Sequence, residues 1–467
     1  MKKKLRDDKM HTQEQKNTIL VAVITAFITT FMGSALNLSI PSMEKEFRVS
    51  AQEIGWVITV YMLTCCCLAV TFGRMADAWD RKHILRTGIL IFAAASAAAV
   101  VSRSMWVLLV FRAIQGVGAS MIFATNIAVL TAAFDEDERG KMLGYSTCAT
   151  YVGLSLGPVL GGVLNYNLGW RSIFIGTAGI SALAFYFAMF KLSSEKQTNR
   201  RERKGENADA AGNVAFISGL FLLMYGLSEI RTKSYAPWIL AAGLLILVAF
   251  VRIESQKESP LINVRFLRDN LPYTLSNFAA LLNYGATFAV SYLLSMYLQT
   301  IKEMTSQNAG FVLITSTAVM AIFSPVFGRI SDKKSPFFLS ALGIVLSAAA
   351  SAALFFLQDT TPIWQLLIIL GASGFGFSLF ASPNTNAVMS FVPKEDYAAA
   401  SALLATMRSA GHTLSMAVIT LVMGICMNGG SMESASGDEI MNSIHISFFI
   451  FTIFCILGIF MAIKRKV

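Results

Sequence analysis

Residues 73–82 read GRMADAWDRK, and residues 328–334 read GRISDKK. Gly73, Arg74 and Asp77 align with Gly328, Arg329 and Asp332 at a spacing of 255, so one short basic loop is written twice. Each copy lies between two long apolar runs. A loop repeated in that setting points to two similar halves embedded in a membrane.

Composition agrees. Only 14% of the 467 residues are charged and 55% are hydrophobic, and the mean hydropathy is +0.59. A soluble chain carries roughly a quarter of its residues as charges. A helix needs about 20 mostly apolar residues to cross a bilayer, and fourteen runs meet that need, from 18–40 to 441–463. Runs seven and eight, 212–228 and 237–251, are short and carry none of the motifs found in the others.

The expected fold is therefore an all-α integral membrane protein of 14 transmembrane helices, with two pseudo-repeated six-helix bundles and a two-helix central insertion. Residues 1–190 form the first bundle, 191–211 a linker, 212–252 the insertion and 253–467 the second bundle. The linker holds KLSSEKQTNRRERK at 191–204, polar and charged enough to stay solvated. An insertion of two spans keeps both bundles in the same sense, so they face each other across a cavity, as alternating access requires.

Lys and Arg set the orientation. With the N-terminus inside, inner segments hold 29 of the 38 basic residues when Arg86 is taken with the loop it borders, and outer loops hold 7. Arg112 and Arg408 are the two left within spans. Both termini are expected in the cytoplasm, with the chain in the cytoplasmic membrane as a multi-pass protein. No cleavable signal peptide is read at the start, because MKKKLRDDK leads through a polar stretch into an apolar run too long for one.

Several function classes fall away. The net charge of +10 is spread over short loops rather than gathered into a patch, so no nucleic-acid partner is expected. The six cysteines lie in apolar runs without metal or disulfide spacing, and four scattered histidines complete no cluster. No catalytic residue, metal site or cofactor is expected, no Walker loop is present, and the chain reads as no enzyme.

A second register, at a spacing of 258, pairs Gly116 with Gly374, Gly118 with Gly376, Ser120 with Ser378, Asn126 with Asn384 and Gly153 with Gly411. Three further stretches stand out. LLVFRAIQGVGAS at 108–120 holds Arg112, Gln115, Gly116 and Gly118. YVGLSLGPVLGG at 151–162 holds Gly153, Gly157, Pro158, Gly161 and Gly162. MGSALNLSIP at 32–41 holds Asn37 and Pro41.

Together with GRMADAWDRK, these stretches resemble the major facilitator superfamily in its fourteen-span drug:proton antiporter branch, along nearly the whole chain. The resemblance implies efflux of small drug-like molecules, with protons as the coupling ion. It implies that Gly73, Arg74, Asp77, Arg81 and Lys82, with Gly328 and Asp332 in the repeat, latch one conformation. Gly73 would let helix ends approach, and Arg81 and Lys82 would pair with carboxylates. The family's loop glycine is Asp80 here. The glycines and proline of 151–162 match the motif that marks exporters and would form a tight helix seam. Arg112 takes a part in proton coupling by resemblance; anchoring to backbone carbonyls is the other reading.

One departure bears on mechanism. The family's acid in the first span aligns with Met32, and none of the 28 acidic residues lies inside the spans as bounded above. His412, four residues beyond Arg408 and on the same helix face, is the substitute proton carrier, with structural packing as its other reading. A cavity carrying Arg112 and Arg408 and no carboxylate favours neutral, zwitterionic or anionic substrates over dications. Polar and aromatic groups placed to bind substrate are Asn37, Tyr61, Gln115, Asn126, Tyr151, Asn283, Tyr284, Gln299, Asn384 and Asn386, each of which could instead bond a neighbouring helix. Transport of one specific metabolite, without protons, is the alternative function.

Overall fold

The structure is a computed structural model that describes residues 13–464 apart from 79, 135, 193–209, 231–232, 258–263, 332, 393–396 and 428–434. Asp332 and the 193–209 portion of the linker thus lie outside the described residues, as do the side chains of Arg74, Asp77 and Tyr151.

The helices are α1 (Gln13–Ser34), α2 (Ile40–Phe47), α3 (Ala51–Ala78), α4 (Arg81–Val100), α5 (Met105–Ala132), α6 (Glu136–Leu168), α7 (Arg171–Phe190), α8 (Ala210–Glu229), α9 (Ala236–Gln256), α10 (Val264–Asp269), α11 (Leu271–Met296), α12 (Ser306–Ser331), α13 (Pro336–Phe355), α14 (Ile363–Ser390), α15 (Tyr397–Cys426) and α16 (Gly437–Lys464). No strand occurs among the described residues. Among the described residues thirteen helices are long and apolar enough to span a membrane, the first of them taking in α1, the 3₁₀ turn Asn37–Ser39 and α2 from Gln13 to Phe47. The expected seventh span is the shorter apolar helix Ala211–Leu227.

The helices form two groups, α1 and α3–α7 in one and α11–α16 in the other, which meet at α6·α12 and α3·α15, and α8 and α9 pack on each other. Ion pairs mark the two ends of the first group. Lys82 on α4 meets Glu14 on α1 at 3.1 Å on what we term the near face. On the far face Glu46 holds Arg171 in a two-pronged ion pair and accepts a bond from the Trp170 indole at 2.8 Å.

The repeat is written into the helix crossings. A Cβ on Gly118 would lie 2.6 Å from Phe92 N and 2.7 Å from Gly88 O. One on Gly376 would lie 2.9 Å from Ser347 N and 3.1 Å from Gly343 O, which are the same positions shifted along the chain. Likewise Gly116 abuts Tyr61 O and Gly374 abuts Ser316 O, while Gly153 abuts Phe27 O and Gly411 abuts Leu281 O. Lipid offers no hydrophobic drive to squeeze helices together, so close backbone approach at small residues must supply the contact energy.

The two groups meet along two seams, which are themselves a matched pair. In α6·α12, Gly162 abuts Ser306 O and a Cβ on Gly310 would lie 2.6 Å from Pro158 O. In α3·α15, a Cβ on Gly55 would lie 2.7 Å from Thr420 Cγ2 and 3.6 Å from Met416 Cε. Both lie toward the far face. The insertion covers only the second seam: Leu220 and Met224 on α8 pack with Leu63, Cys66 and Cys67 on α3 and Ala417 on α15, and Thr71 bonds Asn213 at 2.5 Å.

The loop glycines do not make the close approach expected of them. Among the described residues, a Cβ on Gly73 would meet nothing within 4 Å, and one on Gly328 would only touch Ser382 at 3.7 Å. Asp80, where the family has glycine, instead caps α4 by accepting the Lys82 N–H at 2.9 Å. Lys82 pairs with Glu14 within its own helix group.

Thermal unfolding in detergent separates these glycine classes. Gly118→Val and Gly376→Val should each lower stability, by about 1–3 kcal/mol as overpacked cores do, and to similar extents, whereas Gly73→Ala should leave the transition unmoved.

Candidate functional site

A cavity enclosing about 860 Å³, open solvent at its mouth included, lies between the two groups just below the seams. Its walls follow helical spacing. Tyr284, Thr287, Phe288 and Ser291 on α11 fall at i, i+3, i+4 and i+7, and Leu313, Ser316, Thr317 and Met320 on α12 repeat the pattern. Arg408 and His412, one turn apart on α15, complete the wall of the second group. The first group offers Gly33, Ser34 and Asn37 on and just after α1, Met62 on α3, and Thr150 and Leu154 on α6.

The lining is built from pseudo-symmetric positions. Asn37 and Ser291, 254 residues apart, bond each other across the cavity roof at 3.2 Å. Asn37 O also accepts from Ser295 at 3.2 Å. Thr150 and Leu154 occupy in the first group the places that Arg408 and His412 hold in the second, at the spacing of 258 that pairs Gly153 with Gly411. In α6, Pro158 cannot donate to Leu154 O, and Ser34 Oγ stands 3.5 Å from that carbonyl in its stead.

The chemistry is one-sided. The Arg408 guanidinium is half-buried, lies 5.9 Å above the Phe123 ring, and has no carboxylate or hydrogen-bond partner among the described residues. His412 stacks on Phe288 at 4.9 Å and meets Tyr284 edge-on at 6.0 Å. Its ring likewise has no hydrogen-bond partner among the described residues. No Asp or Glu lines the cavity. Asn37 is 1% exposed and its Oδ1 has no bond among the described residues, so one acceptor in the roof is available.

Most of the expected binding residues lie elsewhere. Of the ten, Asn37 and Tyr284 line the cavity. Asn126 Nδ2 bonds Ala22 O at 2.8 Å and Asn384 Nδ2 bonds Ser276 O at 3.3 Å, so the pair clamps α5 to α1 and α14 to α11 in the same way. Asn386 bonds Ser331, and Gln299 bonds Ser295 O within its own helical segment. Asn283 is fully buried with neither amide atom bonded among the described residues.

Arg112 is also off the cavity. It is 1% exposed, donates to Val57 O at 2.9 Å and to Gln115 Oε1 at 2.5 Å, and lies 4.2 Å above the Tyr61 ring. Gln115 passes the bond on to Ser96, and Tyr61 donates to Thr29 O at 3.0 Å. The guanidinium thus ties α5 to α3 and α4, and through Tyr61 to α1. Among the described lining residues, Arg408 supplies the cavity's fixed positive charge.

Two buried carboxylates correct the expectation that the spans hold none. Glu44 is 4% exposed, because α2 prolongs the first span to Phe47. Tyr292, itself fully buried, lies within reach of its charge. Glu254 is 1% exposed near the end of α9 and pairs with Lys257 at 3.0 Å.

Comparison with known proteins agrees with this architecture. The sequence profile of the Major Facilitator Superfamily matches residues 22–416 and 277–466, and the chain belongs to that family. It is 27% identical over 405 residues to the riboflavin transporter RibZ of Clostridioides difficile, covering 86% of this chain and 87% of that one. It is 26% identical over 414 residues to the multidrug resistance protein Stp of Mycobacterium tuberculosis, covering 87% and 75%. Among solved structures, a bacterial homolog of the human lysosomal transporter Spinster, crystallised inward-facing and unoccupied, superposes with a TM-score of 0.67 at 13% identity, covering 97% of each chain. The protein is a multi-pass membrane transporter of small molecules and not an enzyme.

Asn283 generates a direct test of the packing. A buried amide without partners costs about 1–3 kcal/mol, so Asn283→Leu should raise the detergent unfolding temperature while transport of any substrate persists.

Proposed function

We propose that the chain is a secondary active exporter that carries small drug-like molecules out across the cytoplasmic membrane by alternating access, in exchange for protons. The observation that carries this reading is the cavity, which lies beneath two pseudo-symmetric seams. Seams related in this way can part together when one bundle rocks against the other. The excess of Lys and Arg on the near-face loops makes that face cytoplasmic and puts both termini there. The seams then close the outer side, and the cavity takes its cargo from the cytoplasm. Gly162 and Pro158, from the motif matching exporters, lie in the α6·α12 seam, and Gly153, Gly157 and Gly161 press α6 onto α1. Similarity to a multidrug resistance protein supports export.

His412 is the proton carrier in this reading. It faces the cavity, has no bond to hold it in one tautomer among the described residues, and stands one turn from Arg408. Arg112 contributes by position, holding α3, α4 and α5 in register. The basic loops at 73–82 and 328–334 steady the inner ends of the bundles when that face closes. A second reading, transport of one specific metabolite without protons, is favoured by the similarity to a riboflavin transporter.

Everted vesicles given a panel of labelled compounds, with and without a pH gradient, distinguish these readings. Gradient-dependent accumulation of several unrelated compounds supports the exporter, and accumulation of a single metabolite indifferent to the gradient supports the second reading. His412→Ala should abolish the pH-driven component while leaving binding; pH-driven transport that survives the substitution removes the histidine from the mechanism.

A further inference from the structure

The scaffold of the cavity is symmetric, but its chemistry is not. Arg408 and His412 stand opposite Thr150 and Leu154, and Phe288 stands opposite Ser34, which occupies the matching place 254 residues earlier. Among the lining residues the cation and the aromatic rings therefore come from the second group, and the first offers Gly33, Ser34, Asn37 and Thr150 with the aliphatic Met62 and Leu154. Along α15 Arg408 lies nearer the cytoplasmic end than His412, and the rings of Tyr284, Phe288 and His412 touch one another just above it. Arg408 is close enough for its charge to be felt at both Tyr284 and His412. An apolar ring surface directly above an unpaired guanidinium is complementary to a ring that bears an anion at one end.

Resting on the exporter reading for its cavity and its outward direction, but departing from proton exchange for this one class of cargo, we propose that the cavity binds aromatic acids end-on, the acid on Arg408 and the ring against Phe288 and Tyr284, and that the membrane potential rather than the proton gradient drives their export. The first half follows from charge balance. An unpaired guanidinium in a partly dry cavity gains more from a carboxylate than from any neutral group, and no lining carboxylate competes for it. The second half follows from the sign of the coupling. A proton on His412 would add a positive charge beside the bound acid and hold it more tightly, so acid and proton cannot displace each other as exchange demands. A monoanion leaving a cell that is negative inside needs no such exchange. Its exit is downhill by about 2.3 kcal/mol per 100 mV, or roughly 50-fold in accumulation.

The test uses the full chain in proteoliposomes and two labelled probes, naphthoic acid and its methyl ester, the latter sharing the ring without the charge. Potassium diffusion potentials with valinomycin set the voltage, and nigericin removes any pH difference. The acid should accumulate in a lumen-positive vesicle in step with the voltage and ignore nigericin. Arg408→Gln should raise KM for the acid roughly 10- to 100-fold, the loss expected for a charge-assisted bond, and leave KM for the ester within about twofold. Arg408→Lys should restore part of the acid's affinity, which a structural defect would not allow. Acid transport unaffected by voltage, or by Arg408→Gln, overturns the proposal. Failure of the ester and the acid alike, with or without a pH gradient, overturns the exporter reading instead.

Discussion

Backbone-to-backbone approach at small residues holds this bundle together, and it does so twice over. In a bilayer, van der Waals contact between helices has to replace the hydrophobic drive that assembles soluble proteins. Gly88 and Gly118 bring α4 and α5 together until main chain meets main chain, and Gly343 and Gly376 repeat the contact in α13 and α14. Gly153 sets α6 on α1 as Gly411 sets α15 on α11. The same crossings recur in both groups, and the α6·α12 and α3·α15 seams are built from matching positions. The cavity lies under those seams.

Function then lies in how the symmetry is broken. The roof is still a matched pair, since Asn37 bonds its own counterpart Ser291. Lower down, Arg408 and His412 stand where the other group has Thr150 and Leu154, so the cavity has a charged, aromatic side and an uncharged side without lining rings. The insertion adds a second asymmetry by covering the α3·α15 seam with α8 and leaving the α6·α12 seam without such a cover. A single pocket with a defined polarity on a two-fold scaffold can hold cargo in one orientation while the scaffold rocks.

The spans, the repeat and the place of Arg408 and His412 were legible in the sequence, because length, apolar runs and a spacing of 258 are properties of the chain alone. The polar residues of the spans were not. Asn126 and Asn384 looked like cavity amides, yet each clamps a neighbouring helix, and only the rotation of a helix about its axis decides between the two. Arg112 was ambiguous for the same reason, and its stack on Tyr61 and bond to Val57 O resolve it toward the packed interior. Ser291, Phe288 and Met320 were passed over although their spacing was visible, since apolar and hydroxyl groups carry little signal in a greasy helix. Glu44 was missed because a short 3₁₀ turn at Asn37–Ser39 and Pro41 read as the end of the first span, whereas α2 carries it on to Phe47.

The central claim is that transport requires the two groups to part at seams now closed. The direct measurement is transport before and after cross-linking of a cysteine pair placed at Asn165 and Ser306, whose side chains bond at 3.2 Å across the α6·α12 seam, in a chain whose native cysteines are replaced. The account predicts that the cross-link stops transport and that reduction restores it. Undiminished transport by fully cross-linked protein would contradict it.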